Sequence, residues 1–264
     1  MGQPHFADRL LEEADARGSQ VVVGLDPRPE LMPLSVLGGS SDKEARTPEA
    51  AAEAIVRFNE GVLDAVADCA VAVKCQIAFY ERFGCPGLDA YARTLAAARE
   101  RGLIVIGDIK RNDIDSTAEA YAEAHLPGED ESAWKPSPQF HADAVTVNPL
   151  LGSDGMAPFL KRAGSSGTGL FALVKTSNPS SGEIQDVPSP ERPLYEHVAA
   201  LVEKWGAPYC GDSGYSLLGA VVGAGFSGGL RGCGGLMPHR LFLVRGYGGQ
   251  GAGSVFTRVS GRGV

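Results

Sequence analysis

The most informative part of this chain is residues 103–117, which read LIVIGDIKRNDIDST. An apolar run ends at Gly107 and is followed at once by the carboxylate of Asp108 and the amine of Lys110. Side chains two positions apart on a β-strand point to the same face, so we expect these two groups to emerge together, with Asp113 a few residues beyond. Clustered acids and amines are typical of proton-transfer sites. The alternative is a weak, exposed ion pair where a strand meets a loop.

Short apolar runs alternate with longer amphipathic stretches along the chain, which is typical of repeated βα units around a parallel sheet. Seven such runs in 264 residues favour an α/β fold of the (β/α)8 TIM-barrel type over an open doubly wound sheet. The eighth βα unit has no convincing strand in the sequence. We predict strands near Val21–Asp26, Val71–Gln76, Leu103–Ile109, Asp143–Asn148, Leu170–Lys175, Leu218–Gly223 and Leu241–Val244. We predict helices at Phe6–Arg17, Pro48–Ala67, Leu88–Arg101, Ile114–Ala124, Gly155–Ala163 and Pro193–Trp205.

The sequence predicts one barrel domain over residues 1–264, whose last part, residues 223–264, is atypically rich in glycine. Glycine weakens a helix by about 1 kcal/mol relative to alanine. Residues 225–235 are therefore a poor candidate for the helix that should cover the sixth and seventh strands. We expect this region to be poorly packed.

Composition excludes several classes of protein. The net charge is −8 and the pI is about 5.2, so a nucleic-acid partner held by a broad basic surface is not expected. The longest apolar runs fall far short of the roughly 20 residues that span a bilayer, and the N-terminus lacks the basic and apolar regions of a secretory signal. Five cysteines without a CxxC pair suit a reducing compartment. We therefore expect a cytoplasmic protein with no membrane segment, disulfide framework or zinc site.

Polar residues stand at the carboxyl ends of five predicted strands, which is where TIM barrels hold their active sites. Any one of them could be a turn former or a helix cap, and Lys74 or Lys175 could instead pair with an acid. Together they predict a functional site at one end of the barrel. The five sets are Asp26 after the first strand, Lys74 and Gln76 in the second, Asp108 and Lys110 in the third, Asn148 after the fourth, and Lys175–Asn178 in and after the fifth.

These motifs resemble those of the orotidine 5'-monophosphate decarboxylase family, in its longer bacterial form. The resemblance runs from about residue 6 to residue 250 and includes the DxKxxDIxxT spacing of residues 108–117. That spacing alone is shared with related sugar-phosphate decarboxylases of the same barrel superfamily, so its combination with the other strand ends carries the resemblance. The other matching segments are GLDP at 24–27, VKCQIAFYE at 73–81, TVNPLLG at 146–152, KTSNP at 175–179 and GYGGQG at 246–251.

The resemblance implies a cofactor-free and metal-free decarboxylation of orotidine 5'-phosphate to uridine 5'-phosphate and carbon dioxide in pyrimidine biosynthesis. It implies that Lys110 is the proton donor, because loss of carbon dioxide leaves negative charge on a ring carbon that an ammonium group stabilises and then protonates. It also implies that the catalytic carboxylates Asp108 and Asp113 keep that ammonium charged and in position. In the family, the residues matching Asp113 and Thr117 reach the neighbouring subunit's site, which implies a homodimer with shared active sites.

The same resemblance implies the substrate-binding residues. Asp26 and Lys74 would bind the ribose hydroxyls, and Ser177 would bind the pyrimidine. Gln250 and the backbone amides around it would bind the phosphate. The chain departs from the family pattern at Arg245, where the family usually has proline, and after Gln250, where a final strand and helix with a phosphate-binding arginine are usual.

Three alternatives remain open at this point. A metal-dependent sugar-phosphate decarboxylase or aldolase would use Asp108 as a magnesium ligand. A non-catalytic nucleotide-binding barrel would keep nucleotide affinity without turnover. A Schiff-base aldolase would act through Lys175.

Overall fold

The computed structural model of the protein describes residues 4–37, 46–128, 134–188, 190, 192–223 and 227–245. Within these residues, seven parallel strands pair consecutively from β1 to β7 in one sheet. This is the strand order of a TIM barrel. Residues 246–264, in which the sequence offers no convincing eighth strand, lie outside the described residues. The strands are β1 Val22–Leu25, β2 Ala72–Gln76, β3 Ile104–Arg111, β4 Ala144–Val147, β5 Gly169–Lys175, β6 Leu218–Gly223 and β7 Phe242–Arg245.

Helices connect the strands and cover the sheet. All seven predicted strands and all six predicted helices are present, with bounds that differ by a few residues. Two four-residue helices, α3 and α7, were not predicted, because so few residues carry no measurable helical periodicity. The helices are α1 Phe6–Arg17, α2 Pro48–Val66, α3 Ala78–Glu81, α4 Gly84–Glu100, α5 Asp115–His125, α6 Ser153–Ser166, α7 Gly182–Gln185, α8 Leu194–Gly206 and α9 Ser227–Leu236.

The apolar strand runs are explained by burial on both faces of the sheet. Every residue of β4 and of β6 is buried, as expected for parallel strands that lie between a barrel interior and a layer of helices.

The helices use local signals to start and stop. The hydroxyl of Thr47 accepts a hydrogen bond from the Ala50 amide at the start of α2, and Gly18 ends α1 in the left-handed conformation with φ 57°. No helix in the described part of the chain has the length and apolar composition needed to cross a bilayer.

The prediction that residues 225–235 are a poor candidate for a helix is wrong. Helix α9 occupies Ser227–Leu236 and packs against α8. Cys233 and Met237 are buried in the apolar core, and Leu236 packs against that core. Helical stability in proteins comes mostly from tertiary packing of one apolar face, which here outweighs the low helix propensity of the glycines.

Strand β3 is irregular at its carboxyl end, where the conspicuous charges lie. Its register with β4 shifts between Gly107 and Arg111. Lys110 has φ 48°, in the left-handed region that non-glycine residues rarely adopt. A β-bulge of this kind redirects side chains and occurs often beside active sites. The fold therefore fixes the direction of Lys110 by an unusual backbone conformation rather than by regular strand geometry.

Candidate active site

The site is built on the carboxyl ends of β2, β3 and β4. In the register of β2 against β3, Gln76 lies beside Asp108, and Lys74 lies beside Ile106 two residues earlier. Thr146 lies on β4, on the other side of β3. Three adjacent strands thus bring an amine, an amide and a hydroxyl to one carboxylate.

Asp108 is the centre of this arrangement and is 1% exposed. Its Oδ1 lies 2.5 Å from Nζ of Lys110 and accepts a hydrogen bond of 2.8 Å from the Thr146 hydroxyl. Its Oδ2 lies 3.0 Å from Nζ of Lys74 and accepts a hydrogen bond of 3.0 Å from Nε2 of Gln76. A carboxylate offers about four lone-pair positions, and four donors occupy them here. Asp108 therefore holds two amines in fixed places.

The electrostatics of Asp108 follow from these contacts. Burial by itself raises the pKa of this carboxyl, but the ammonium groups of Lys74 and Lys110 outweigh burial and lower the pKa to about 2. The carboxylate is consequently ionised at neutral pH and neutralises part of the positive charge beside it. The prediction that Asp108 and Lys110 emerge together is confirmed, and the alternative of an exposed surface pair is excluded for Asp108.

The backbone of Lys110 is fixed, whereas its side chain is partly exposed. Its side chain is 30% exposed, whereas that of Asp108 is 1% exposed. Its backbone amide donates a hydrogen bond of 3.0 Å to the hydroxyl of Thr146. The backbone of Lys110 is thus held by Thr146, and part of its side chain is exposed.

Asp26 joins the same cluster from the end of β1. Its Oδ1 lies 3.4 Å from Nζ of Lys74, and its side chain is 38% exposed. The Lys74 amine bridges this exposed carboxylate and the buried Asp108. The structure therefore brings together four of the predicted site residues: Asp26, Lys74, Asp108 and Lys110.

Asp113 and Thr117 lie farther along the chain, before and within the first turns of α5. Oδ1 of Asp113 accepts a hydrogen bond of 2.9 Å from the Ile114 amide, and Thr117 is exposed. In the part of the chain that the structure describes, neither residue is a hydrogen-bond or ion-pair partner of Asp108. Their predicted roles across a subunit boundary stay a prediction.

The remaining predicted binding residues lie beyond the fourth strand. Ser177 is exposed after β5 and lies against the end of β6, because a Cβ placed on Gly223 would be 2.8 Å from that of Ser177. Gln250 and the predicted phosphate loop at 246–251 lie outside the described residues. Lys175 is 1% exposed, and its amine donates to Asp186 at 2.7 Å and lies 5.6 Å from the ring centre of Tyr195. This pairing explains its burial and disfavours a Schiff-base role.

Gln76 and Thr146 were not predicted as ligands of Asp108, although both stand in the quoted motifs. The signal for Thr146 was available in the sequence, because it is the one polar residue in the buried strand Ala144–Val147. A buried hydroxyl requires a hydrogen-bond partner. What the sequence could not supply was the pairing of β4 with the irregular end of β3.

The residues at the site are poorly suited to a divalent cation. Among the residues that the structure describes, no group of three or more His, Cys, Asp or Glu side chains could hold a metal ion. Two ammonium groups already contact Asp108 at 2.5 and 3.0 Å, and they would repel a cation bound to the same carboxylate. The donor set argues against Asp108 as a magnesium ligand.

Comparison with known proteins adds an independent line of evidence. Residues 19–255 match the model of the orotidine 5'-phosphate decarboxylase / HUMPS family. An orotidine 5'-phosphate decarboxylase of Rhodopirellula baltica is 40% identical over 248 residues, which are 93% of this chain and 79% of the relative. One of Caldicellulosiruptor saccharolyticus is 37% identical over 247 residues, covering 94% of this chain and 81% of the relative. The solved structure of the OMP decarboxylase of Leishmania donovani superposes with a TM-score of 0.70 at 31% identity, covering 92% of this chain and 79% of that one.

Proposed function

Because this chain belongs to the orotidine 5'-phosphate decarboxylase / HUMPS family and is a carboxy-lyase of orotidine 5'-phosphate in pyrimidine biosynthesis, we propose that Lys110 is its proton donor. The observation that carries this proposal is the contact of 2.5 Å between the Lys110 amine and the buried carboxylate of Asp108. The contact fixes the position of the amine beside a negative charge, while 30% of the Lys110 side chain stays exposed.

The bond between the ring carbon and the carboxylate breaks, carbon dioxide leaves, and the electron pair stays on the ring carbon. The ammonium of Lys110 stabilises this negative charge and then transfers a proton to the carbon, which gives uridine 5'-phosphate. The neutral amine of Lys110 regains a proton from solvent. No cofactor or metal takes part.

We assign the rest of the site around this step. Asp108 of the same subunit and Asp113 of the partner subunit hold the charge and position of the Lys110 ammonium. Asp26 and Lys74 bind the ribose hydroxyls, which is supported by their proximity to each other and by the exposure of Asp26 at the rim. Ser177 binds the pyrimidine and Gln250 the phosphate, by resemblance to the family.

The proposal includes a homodimer in which Asp113 and Thr117 complete the partner's site. Ile114, Leu150 and Leu151 support it, because these large apolar side chains are 43%, 69% and 48% exposed. They lie near one another, since a Cβ on Gly155 would be 2.9 Å from the Asp113 carbonyl oxygen and 3.3 Å from Cβ of Leu151. An exposed apolar patch beside Asp113 supports an isologous dimer contact.

Two broader assignments belong to the same proposal. The chain acts as one domain, which is supported by a single cluster of buried apolar residues that extends from Phe6 to Leu243. It works in the cytoplasm, which is supported by five cysteines that are all free thiols.

A turnover assay that follows the absorbance of orotidine 5'-phosphate tests the proposed chemistry against its rivals. We expect equal rates with and without a chelator such as EDTA. Loss of activity on chelation, restored by magnesium, would favour a metal-dependent enzyme. Binding of uridine 5'-phosphate by calorimetry without any turnover would favour a nucleotide-binding barrel.

A further inference from the structure

The hydroxyl of Thr146 connects the two residues at the centre of the site. It donates a hydrogen bond of 2.8 Å to Oδ1 of Asp108 and accepts one of 3.0 Å from the backbone amide of Lys110. The same Oδ1 lies 2.5 Å from Nζ of Lys110. These contacts close a ring that runs from the Lys110 amide through Thr146 and Asp108 back to the Lys110 amine.

The direction of these hydrogen bonds is fixed by chemistry. A hydroxyl has one hydrogen to donate, and the carboxylate of Asp108 can only accept it. A backbone amide can only donate, so the Thr146 oxygen must accept from Lys110. Thr146 is 1% exposed, which leaves little access for a water molecule to replace either contact. No apolar side chain could serve both neighbours.

The backbone of Lys110 explains why such a hydroxyl is needed. Its φ of 48° lies in a region that is unfavourable for a non-glycine residue, and such conformations persist only where the surroundings enforce them. The register shift between Gly107 and Arg111 interrupts the regular ladder to β4 at this point. The Lys110 amide therefore bonds to a side chain of β4.

We infer that Thr146 is a positioning residue for the proton donor, acting on both ends of Lys110. It holds the strained backbone of Lys110 directly and the ammonium through the orientation of Asp108. This inference rests on the proposed role of Lys110. Because Thr146 is buried behind Asp108 and Lys110, we expect its contribution to be to the rate of the chemical step and not to binding.

Two substitutions isolate the hydroxyl. Thr146→Val keeps the shape of the side chain and removes both hydrogen bonds, whereas Thr146→Ser keeps the hydroxyl and removes a methyl group. Thr94→Val is the matched control, because Thr94 is also 1% exposed and hydrogen-bonded in the core but interacts with Asn59 and Ala90. Urea unfolding of all three variants shows whether each is folded under assay conditions.

We expect Thr146→Val to lower kcat by about 10- to 100-fold, since displacement of a reacting group by about 1 Å lowers the rate by about 100-fold. KM and the Kd of uridine 5'-phosphate should stay within about threefold of wild type, and Thr146→Ser should keep kcat within about threefold. Thr94→Val should lose stability but keep kcat.

Several results would overturn the inference. One is a wild-type kcat in Thr146→Val while Lys110→Ala is inactive. This result would refute the role of Thr146 and leave the proposed role of Lys110 unaffected. Another is an equal loss of kcat in Thr146→Ser and Thr146→Val, because the serine keeps the hydroxyl. An active Lys110→Ala protein would remove the proposed proton donor itself, and this inference with it.

Discussion

The amine of Lys74 lies 3.0 Å from Oδ2 of Asp108, on the oxygen opposite to the one that holds Lys110. One buried carboxylate thus separates two ammonium groups that would otherwise repel each other. The arrangement is energetically unfavourable unless its geometry is nearly ideal, because the attraction within a buried ion pair must offset the free energy of desolvating both charges. The presence of these buried charges is explained by a role in the reaction and not by stability alone.

Asp108→Asn tests this separation. Asparagine keeps the volume but cannot neutralise two amines, so we expect kcat to fall at least about 100-fold and the free energy of unfolding to fall by about 3–5 kcal/mol. Asp64→Asn is the control, because Asp64 forms an ion pair with Arg101 in which its side chain is 67% exposed, and such pairs contribute under about 1 kcal/mol. Turnover within tenfold of wild type in Asp108→Asn would refute the assignment.

His125 predicts a pH dependence of stability. It is buried against Phe140, and burial, with a smaller effect of the Arg111 charge, lowers its pKa from 6.5 to about 4. The unfolded chain then binds more protons than the folded chain between these values, so the free energy of unfolding should fall by about 2 kcal/mol between pH 7.5 and pH 5.

Urea denaturation at the two pH values measures this loss. His125→Leu should make the loss smaller, whereas substitution of His197 by Gln should leave it unchanged because His197 is exposed on α8. An equal loss in wild type and His125→Leu would show that other groups cause it.

Subunit sharing predicts complementation between two inactive proteins. Asp113→Ala and Lys110→Ala should each have little activity alone. If the proteins exchange subunits, half of the dimers are mixed and each of these has one intact site, so an equal mixture should recover about a quarter of wild-type activity. No recovery, under conditions in which chromatography of tagged subunits shows exchange, would contradict shared sites.

Two helical glycines should respond in opposite directions to alanine. A Cβ on Gly87 of α4 would lie 1.9 Å from the carbonyl oxygen of Tyr80 in α3, whereas one on Gly61 of α2 meets nothing within 4 Å. We expect Gly87→Ala to lose at least about 2 kcal/mol and Gly61→Ala to gain about 0.5–1 kcal/mol. Thermal or urea unfolding of the two proteins measures these changes. An unchanged free energy of unfolding in Gly87→Ala would contradict the close approach of α3 and α4.

The sequence was sufficient to predict the seven strands and the cluster of Asp26, Lys74, Asp108 and Lys110. Apolar runs buried on both faces stand out from amphipathic helices, and the barrel rule then brings the charged strand ends together. These inferences need only the order of the strands along the chain.

The details that depend on neighbouring strands could not be predicted. The hydrogen bonds of Gln76 and Thr146 to Asp108 depend on the register of β2, β3 and β4. The left-handed backbone of Lys110 lies where the register shifts, and no local residue preference predicts that shift. Helix α9 was missed because tertiary packing around Cys233 outweighs glycine propensity.

The most direct test of the account is the turnover of Lys110→Ala with orotidine 5'-phosphate, measured beside Lys161→Ala, whose lysine is exposed on α6. We predict that Lys110→Ala loses at least about 1,000-fold in kcat while its Kd for uridine 5'-phosphate changes by less than about tenfold, and that Lys161→Ala behaves as wild type. A kcat for Lys110→Ala within tenfold of wild type would contradict the claim that this amine supplies the proton.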